Sequence, residues 1–262
     1  LKGALELLPE KFNIPEQEFF QENDLNTYSG IIFTPYVGRG NRVDHGIRKT
    51  QSIIQEKTNA EVTIYGGKNP YKSISDEVWE ATKKMNVHDF KYNKIPVLVS
   101  TKAFGMGIDK PNIRYTIHFG IPSSIESFYQ EAGRAGRNRK KANCFIIFTE
   151  YSKDRTDQWL DPTIGLEQLE ERYKPHANNW NEKCDVNRQI GFHLASFKGI
   201  EEEMHSIKEV LDEIQNFGRD HSLQINFRKI KDQEKALYRL SRIGIIRDYN
   251  VEYGSKNIYS RF

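Results

Sequence analysis

Between Gly30 and Phe148, short apolar runs alternate with longer segments of helical period, and this alternation constrains the fold more than any other feature of the chain. Ile31-Ile32-Phe33 is an apolar run that stops before Pro35, Glu61–Tyr65 is rich in β-branched residues, and Val97-Leu98-Val99, Ile113–Phe119 and Cys144–Phe148 continue the series. Val43, Ile47, Ile53 and Ile54 fit one helical face. Ser75 is placed to cap a helix carrying Val78, Ala81 and Met85, and Ser123 or Ser124 to cap one turning Ile125, Phe128 and Tyr129 inward. Continuous apolar strands separated by helices pair in parallel and are covered on both sides. The pattern predicts an α/β fold, a parallel sheet with helices on both faces. Ligands on such sheets collect at the carboxyl ends of strands. The segments after Val99 and after the helix ending near Ala132 are therefore the expected site.

The pattern changes after Tyr151. Thr163–Tyr173 and Asp185–Phe197 read as helices, and Ile200, Met204, Ile207, Val210, Leu211 and Ile214 mark an amphipathic one. A short helix with Ala236, Leu237, Leu240 and Ile243 stops at Gly244. Ile245–Tyr253, the Gly254–Asn257 turn and Ile258–Phe262 read as a hairpin, so the end of the chain is expected as part of a winged-helix-like module, cut short by the last residue. The expected organisation is a linker or docking segment over 1–29, an α/β lobe over 30–155, a helical connector over 156–225 and a basic winged-helix-like module over 226–262.

Charge follows this division. Asp161–Asp220 carries 13 acidic and 7 basic residues, whereas Asn226–Phe262 carries 9 basic and 4 acidic ones. The basic end points to nucleic acid; the plain alternative is a solvated face. The apolar runs are too short for a membrane span, and no secretory leader is visible. A start at Leu1 rather than Met suggests a piece of something longer. Two isolated cysteines, Cys144 and Cys184, make neither a disulfide framework nor a four-cysteine zinc site. Cys144 is expected as a buried core thiol, and a reducing, cytoplasmic setting (nucleoid-associated if bacterial) fits.

Two strings carry chemistry. In Ser100-Thr101-Lys102-Ala103-Phe104-Gly105-Met106-Gly107-Ile108-Asp109-Lys110-Pro111, the glycines let backbone turn close to a ligand, Asp109 offers an acceptor for a sugar hydroxyl, and Thr101 suits phosphate oxygens. In Gln130-Glu131-Ala132-Gly133-Arg134-Ala135-Gly136-Arg137, two arginines three apart at a helix end can converge on one phosphate, with forked bonds from groups that are always charged. The plain alternatives are a glycine turn and a basic helix end complementing its dipole.

Taken together and in this order, the strings resemble motifs V and VI of the RecQ-like helicases of superfamily 2, and Gly30–Pro35 resembles motif IV. The resemblance implies a RecA-like second motor lobe of an ATP-dependent 3′-to-5′ DNA helicase. It implies arginine fingers at Arg134 and Arg137, with Arg137 on the γ-phosphate, Gln130 beside them coupling ATP state to lobe movement, and Asp109 on the ribose in a loop shaped by Gly107. Ser100, Thr101 and Lys102 would meet single-stranded DNA, and 226–262 would bind duplex DNA. ATP and Mg²⁺ would be held by a separate N-terminal RecA-like lobe carrying the Walker motifs. Gly66-Gly67-Lys68-Asn69 is no Walker motif, because Val62 stands where its first glycine belongs and Asn69 where Ser or Thr does. This chain alone is therefore expected to be inactive. Two alternatives stand beside this reading: a non-catalytic DNA-binding or scaffold protein on a helicase fold, and an RNA helicase of the same superfamily.

The chain also departs from the family. Tyr65-Gly66-Gly67-Lys68 replaces its Tyr-His-Ala-Gly, His88–Lys94 looks like a divergent connection, and the usual zinc subdomain has no cysteines here. The scattered histidines have no metal spacing. His118 is expected as a core histidine rather than a catalytic one, and Trp79, Trp159 and Trp180 as packing residues. Tyr249, Tyr253 and Tyr259 could stack on bases, or pack across a hairpin.

Overall fold

The computed structural model describes residues 1–38, 46–101, 109–179, 182–216, 223–226, 230–251 and 257–261. The chain divides into two compact units. One comprises 1–161 with 175–189, the other 162–174 with 190–262. These units do not coincide with the expected segments 30–155, 156–225 and 226–262, because the chain passes between the units more than once.

In the first unit, α1 (Lys2–Phe12) and α2 (Glu16–Phe19) precede β1 (Ser29–Phe33), α3 (Ile47–Thr58), β2 (Val62–Tyr65), α4 (Asp76–Lys91) and β3 (Val97–Ser100). Then come β4 (Ile113–Phe119), α5 (Ile125–Ala132), β5 (Asn143–Ile147) and α6 (Lys153–Trp159). The strands form one parallel sheet in the order β2-β3-β1-β4-β5. Side-chain alternation divides the core in two. Ile32, Val97, Val99 and Ile117 pack with Leu5, Leu8, Phe19, Phe20, Ile47 and Ile54 from α1 to α3. Ile31, Phe33 and Leu98 point the other way and pack with Phe90 of α4. Of the two expectations for residues 1–29, a docking segment fits and a linker does not: Leu5, Leu8, Phe19 and Phe20 are fully buried, and their burial contributes several kcal/mol to this lobe.

Burial differs from the simplest reading of the apolar residues at three places. On α4, Val78 and Met85 are exposed while Trp79, Lys83 and Phe90 are buried. The Lys83 ammonium pairs with Glu80 at 2.6 Å and lies over the Tyr65 ring, so its stem packs while its charge stays satisfied. Ser75 caps this helix as expected, its Oγ accepting from Val78 N. On α5, Ile125 and Tyr129 face solvent at 83% and 78% exposure, and Phe128 alone of that trio turns inward, its ring against His118. Cys144 is exposed rather than buried, because β5 is an edge strand whose Phe145 and Ile147 take the core face and turn Cys144 and Ile146 to the other. Val43 lies outside the described residues, so α3 is defined from Ile47.

The same unit includes 175–189. Glu182 accepts from both Arg155 Nη1 and His176 Nδ1, at 2.5 and 2.6 Å. Asp185 accepts from the amide and hydroxyl of Thr149, just past β5. Trp159, buried, lies beside His176. This clasp folds the segment back onto the lobe.

The second unit contains α7 (Leu166–Tyr173), most of α8 (Asp185–Ser196), α9 (Ile200–Asn216), β6 (Leu223–Asn226), α10 (Ile230–Arg242), β7 (Asp248–Val251) and β8 (Asn257–Arg261). Val210 of α9 packs against Ala236, Leu237 and Leu240 of α10 and against Ile246. The three strands make an antiparallel sheet in the order β6-β8-β7. The hairpin was legible, but β6 was not: Leu223–Asn226 is too short to show a period. Trp180 and Tyr253 lie outside the described residues. No helix of the described residues is long and apolar enough to cross a membrane.

Candidate active site

The carboxyl ends of β1 and β3 are joined directly, Thr34 N donating to Ser100 O at 2.7 Å. Ser100 is fully buried, and its hydroxyl donates to the Thr101 carbonyl at 2.7 Å. That bond directs the hydroxyl proton into the fold at the strand end. Thr101 is bonded through its own amide to Tyr65 O. Lys102 and Gly107 lie outside the described residues.

The second string forms a turn beyond α5. Ser124 caps that helix, accepting from Ser127 N at 3.1 Å. The helix ends at Ala132, so both arginines sit on the following turn rather than on its last helical residues. Gly136 adopts φ +72°, a conformation that side chains rarely tolerate, and its amide donates to Ile113 O at 3.0 Å. This bond pins the arginine turn to the first residue of β4.

The turn places Arg137 Nη1 3.0 Å from Asp109 Oδ1, so two residues 28 positions apart meet. Both side chains are exposed, which makes the pair weak in water, on the order of 0–1 kcal/mol, and easily exchanged for a ligand. Arg134 is 6% exposed. Burial lowers its pKa first, the charge of Arg137 lowers it further, and Glu131 works in the opposite direction. Two guanidiniums held near each other repel, an arrangement that becomes favourable beside a multiply charged anion. Gln130 is exposed on α5 and is not drawn into this cluster by any described bond.

Residues 11–139 match the family described as the helicase conserved C-terminal domain. The ATP-dependent DNA helicase Q-like SIM of Arabidopsis thaliana is 48% identical over 86 residues, 33% of this chain and 10% of that protein. The ATP-dependent DNA helicase RecQ of Bacillus subtilis is 33% identical over 132 residues, 50% of this chain and 19% of that protein. Residues 11–139 are a RecQ-like helicase C-terminal domain. The matched stretch spans a fifth or less of these relatives' own length. Among solved structures, Mss116p DEAD-box helicase domain 2 bound to an RNA duplex aligns with TM-score 0.41 and 17% identity, over 74% of this chain and 78% of that one.

Within the helicase lobe, three supporting groups escape the motif pattern. His118 of β4 is buried, stacks on Phe33 at 5.0 Å and places Nε2 3.0 Å from Glu131 Oε2. With Phe128 on its edge, it fastens α5 to the sheet and so sets where the arginine turn begins. It is a core histidine, as its apolar strand suggested. Glu131 lies inside the string that carries the arginines, and its place on the helix face opposite Tyr129 is the signal that could have found it. Asn69, in the segment that mimics a P-loop, organises the loop before α4 by donating to Ile74 O and Ser75 O and accepting from Tyr71 N.

Lys110 is the third group. It follows Asp109 directly, is 1% exposed, and donates to Asn93 Oδ1 and to the Lys91 carbonyl at the end of α4. Asn112 donates to the same Asn93 oxygen at 2.8 Å. A cation on the orphan carbonyls of a helix C-terminus is favourably placed, and it anchors the backbone that presents Asp109. Burial pushes the Lys110 ammonium down to about 8. A lysine whose folded-state pKa lies below its unfolded value opposes folding while both states are charged. That cost is relieved as pH rises from about 8 through the unfolded range near 10.4. In urea titrations, the stability of the wild type relative to Lys110→Met should therefore rise by about 2 kcal/mol between pH 7 and 10.5. Identical pH slopes in the two proteins would show that Lys110 is not a buried charge.

Proposed function

We propose that this chain is the second motor lobe, with its following region, of a RecQ-like ATP-dependent 3′-to-5′ DNA helicase. The observation that carries this reading is the meeting of Asp109 and Arg137 at 3.0 Å, with Arg134 on the same turn. Arg134 and Arg137 stabilise charge on a transferring γ-phosphoryl group, and Asp109 accepts from the ribose. Gln130 sits at the lobe edge and couples nucleotide state to lobe movement. Thr101 and the strand ends beside it face single-stranded DNA. The donor set fits the outer half of a nucleotide site, two guanidiniums and a carboxylate. On the resemblance to RecQ-like helicases, ATP and Mg²⁺ are assigned to a separate N-terminal lobe of the same protein, with Walker motifs. ATP, when bound there, supplies the free energy that closing and reopening of the lobes converts into strand movement. The antiparallel sheet and α10 support a winged-helix-like contact with duplex DNA, through phosphates and hence salt-sensitive.

In the full-length protein, single-stranded DNA should stimulate ATP hydrolysis at least tenfold more than single-stranded RNA. Asp109→Ala should raise the KM for ATP about tenfold, as loss of one charge-assisted hydrogen bond does, with little change in kcat. Equal stimulation by RNA would favour an RNA helicase, and no ATPase with either polymer would favour a scaffold.

A further inference from the structure

A second feature of the helicase lobe is not used by the reading above. An open cavity of about 460 Å³ lies where the α1–α2 corner meets the start of β4. Arg114 forms part of its wall. This residue is 8% exposed, its Nη1 donates to Asn138 Oδ1 at 2.8 Å, and no carboxylate among the described residues pairs with it. Burial lowers its pKa, yet a guanidinium stays charged in a protein. Beside the Asn138 amide and the nearby Tyr28 phenol, this buried positive charge has no counter-ion among the described residues.

The chain supplies more positive charge at the same place. Arg139, Lys140 and Lys141 follow the arginine turn, all exposed. Lys140 also lines the cavity, and Lys141 reaches back to the Lys11 carbonyl at the end of α1 and lies over the Phe12 ring. Glu18 is the single acid in the lining. The rest of the polar wall is amide-rich, with Asn13, Gln21, Asn23 and Asn26. An amide side chain presents a donor and an acceptor together, the pairing that matches the edge of a nucleobase. An acidic peptide lying across the surface would reach the exposed lysines but would leave the buried Arg114 without its anion.

We propose that this cavity binds a nucleoside monophosphate unit, its phosphate between Arg114 and Lys140 and its base against the amide wall. The unit is either a free nucleotide or the phosphorylated end of a nucleic-acid strand. The site is independent of the Asp109–Arg137 pair.

The test is calorimetry on the whole chain with thymidine 5′-monophosphate, thymidine, a 5′-phosphorylated and a 5′-hydroxyl dT6, and a hexaglutamate peptide. The monophosphate or the phosphorylated dT6 should bind at least tenfold more tightly than its phosphate-free counterpart. Tighter binding of the monophosphate identifies a free nucleotide, and tighter binding of the phosphorylated dT6 a strand end. Lys140→Glu, an exposed change that leaves the fold intact, should weaken that binding about tenfold, and Arg114→Gln by more. Side-chain amide signals of Asn13, Gln21 and Asn26 should shift in NMR spectra on titration. The proposal is overturned if phosphate makes no difference, if Lys140→Glu leaves affinity within twofold, if hexaglutamate binds as tightly as the nucleotides, or if the shifts gather at Asp109 and Arg134.

Discussion

Replacing Arg137 by alanine in a protein carrying both motor lobes is expected to lower DNA-stimulated ATP hydrolysis by about 10³-fold or more, the usual effect of removing an arginine finger. The same change should leave the stability of the lobe within about 0.5 kcal/mol, because Arg137 and Asp109 form an exposed pair on a turn held by other bonds. This split between activity and stability is what distinguishes a finger from a structural arginine. The Gly136 amide on Ile113 O and the His118–Glu131 contact hold the turn whether or not Arg137 is present. Arg134→Ala should behave differently, losing stability as well as rate, since Arg134 is mostly buried. Steady-state ATPase and urea unfolding measured on the same preparations decide the matter. Hydrolysis by Arg137→Ala within tenfold of wild type would remove the finger assignment.

The largest expected effect on folding comes from Gly30→Ala. A Cβ at position 30 would stand 1.9 Å from Tyr115 Cζ and 2.0 Å from Cε2, well inside contact distance. Gly30 and Tyr115 are paired in register on β1 and β4, at the centre of the sheet, and Tyr115 is fully buried against Phe19 and Phe20. The ring has nowhere to go, so the cost should reach about 3 kcal/mol or more, the upper end of overpacking. Tyr115→Leu in the same chain vacates the space, and the double variant should recover at least half of the loss. Additive costs in the double-mutant cycle would show that the clash is not with this ring. Tyr115→Phe alone should be neutral or mildly stabilising, because the buried hydroxyl has no hydrogen-bond partner among the described residues.

Much of this was legible because it is local. Short apolar runs set between helical periods specify parallel strands wherever the sheet is covered on both sides, and all five strands of the lobe fall where those runs stand. The motif strings were legible as strings, whereas the turn at Gly136, with its positive φ, was not: the sequence placed the two arginines at a helix end. Helix faces were less legible. On α4, a lysine that packs its stem and pairs its head lies buried while Val78 and Met85 are exposed, and only the position of Glu80 and Tyr65 reveals that it can. Cys144 was misjudged for a related reason: strand period says which residues share a face, but not whether that strand lies at the edge.

The alternation between Gly30 and Phe148 determined the class of fold, and the two motif strings singled out the residues proposed for the nucleotide edge. Only the tertiary structure decided that Asp109 and Arg137 meet, that Ser100 is sealed inside, that residues 1–29 contribute to the core, and that Arg114 stands without a counter-charge among the described residues. Each of these depends on which strands become neighbours and on the register between them. That choice balances chain entropy against burial over distances of 28 to more than 80 residues, and no local pattern of residues records it.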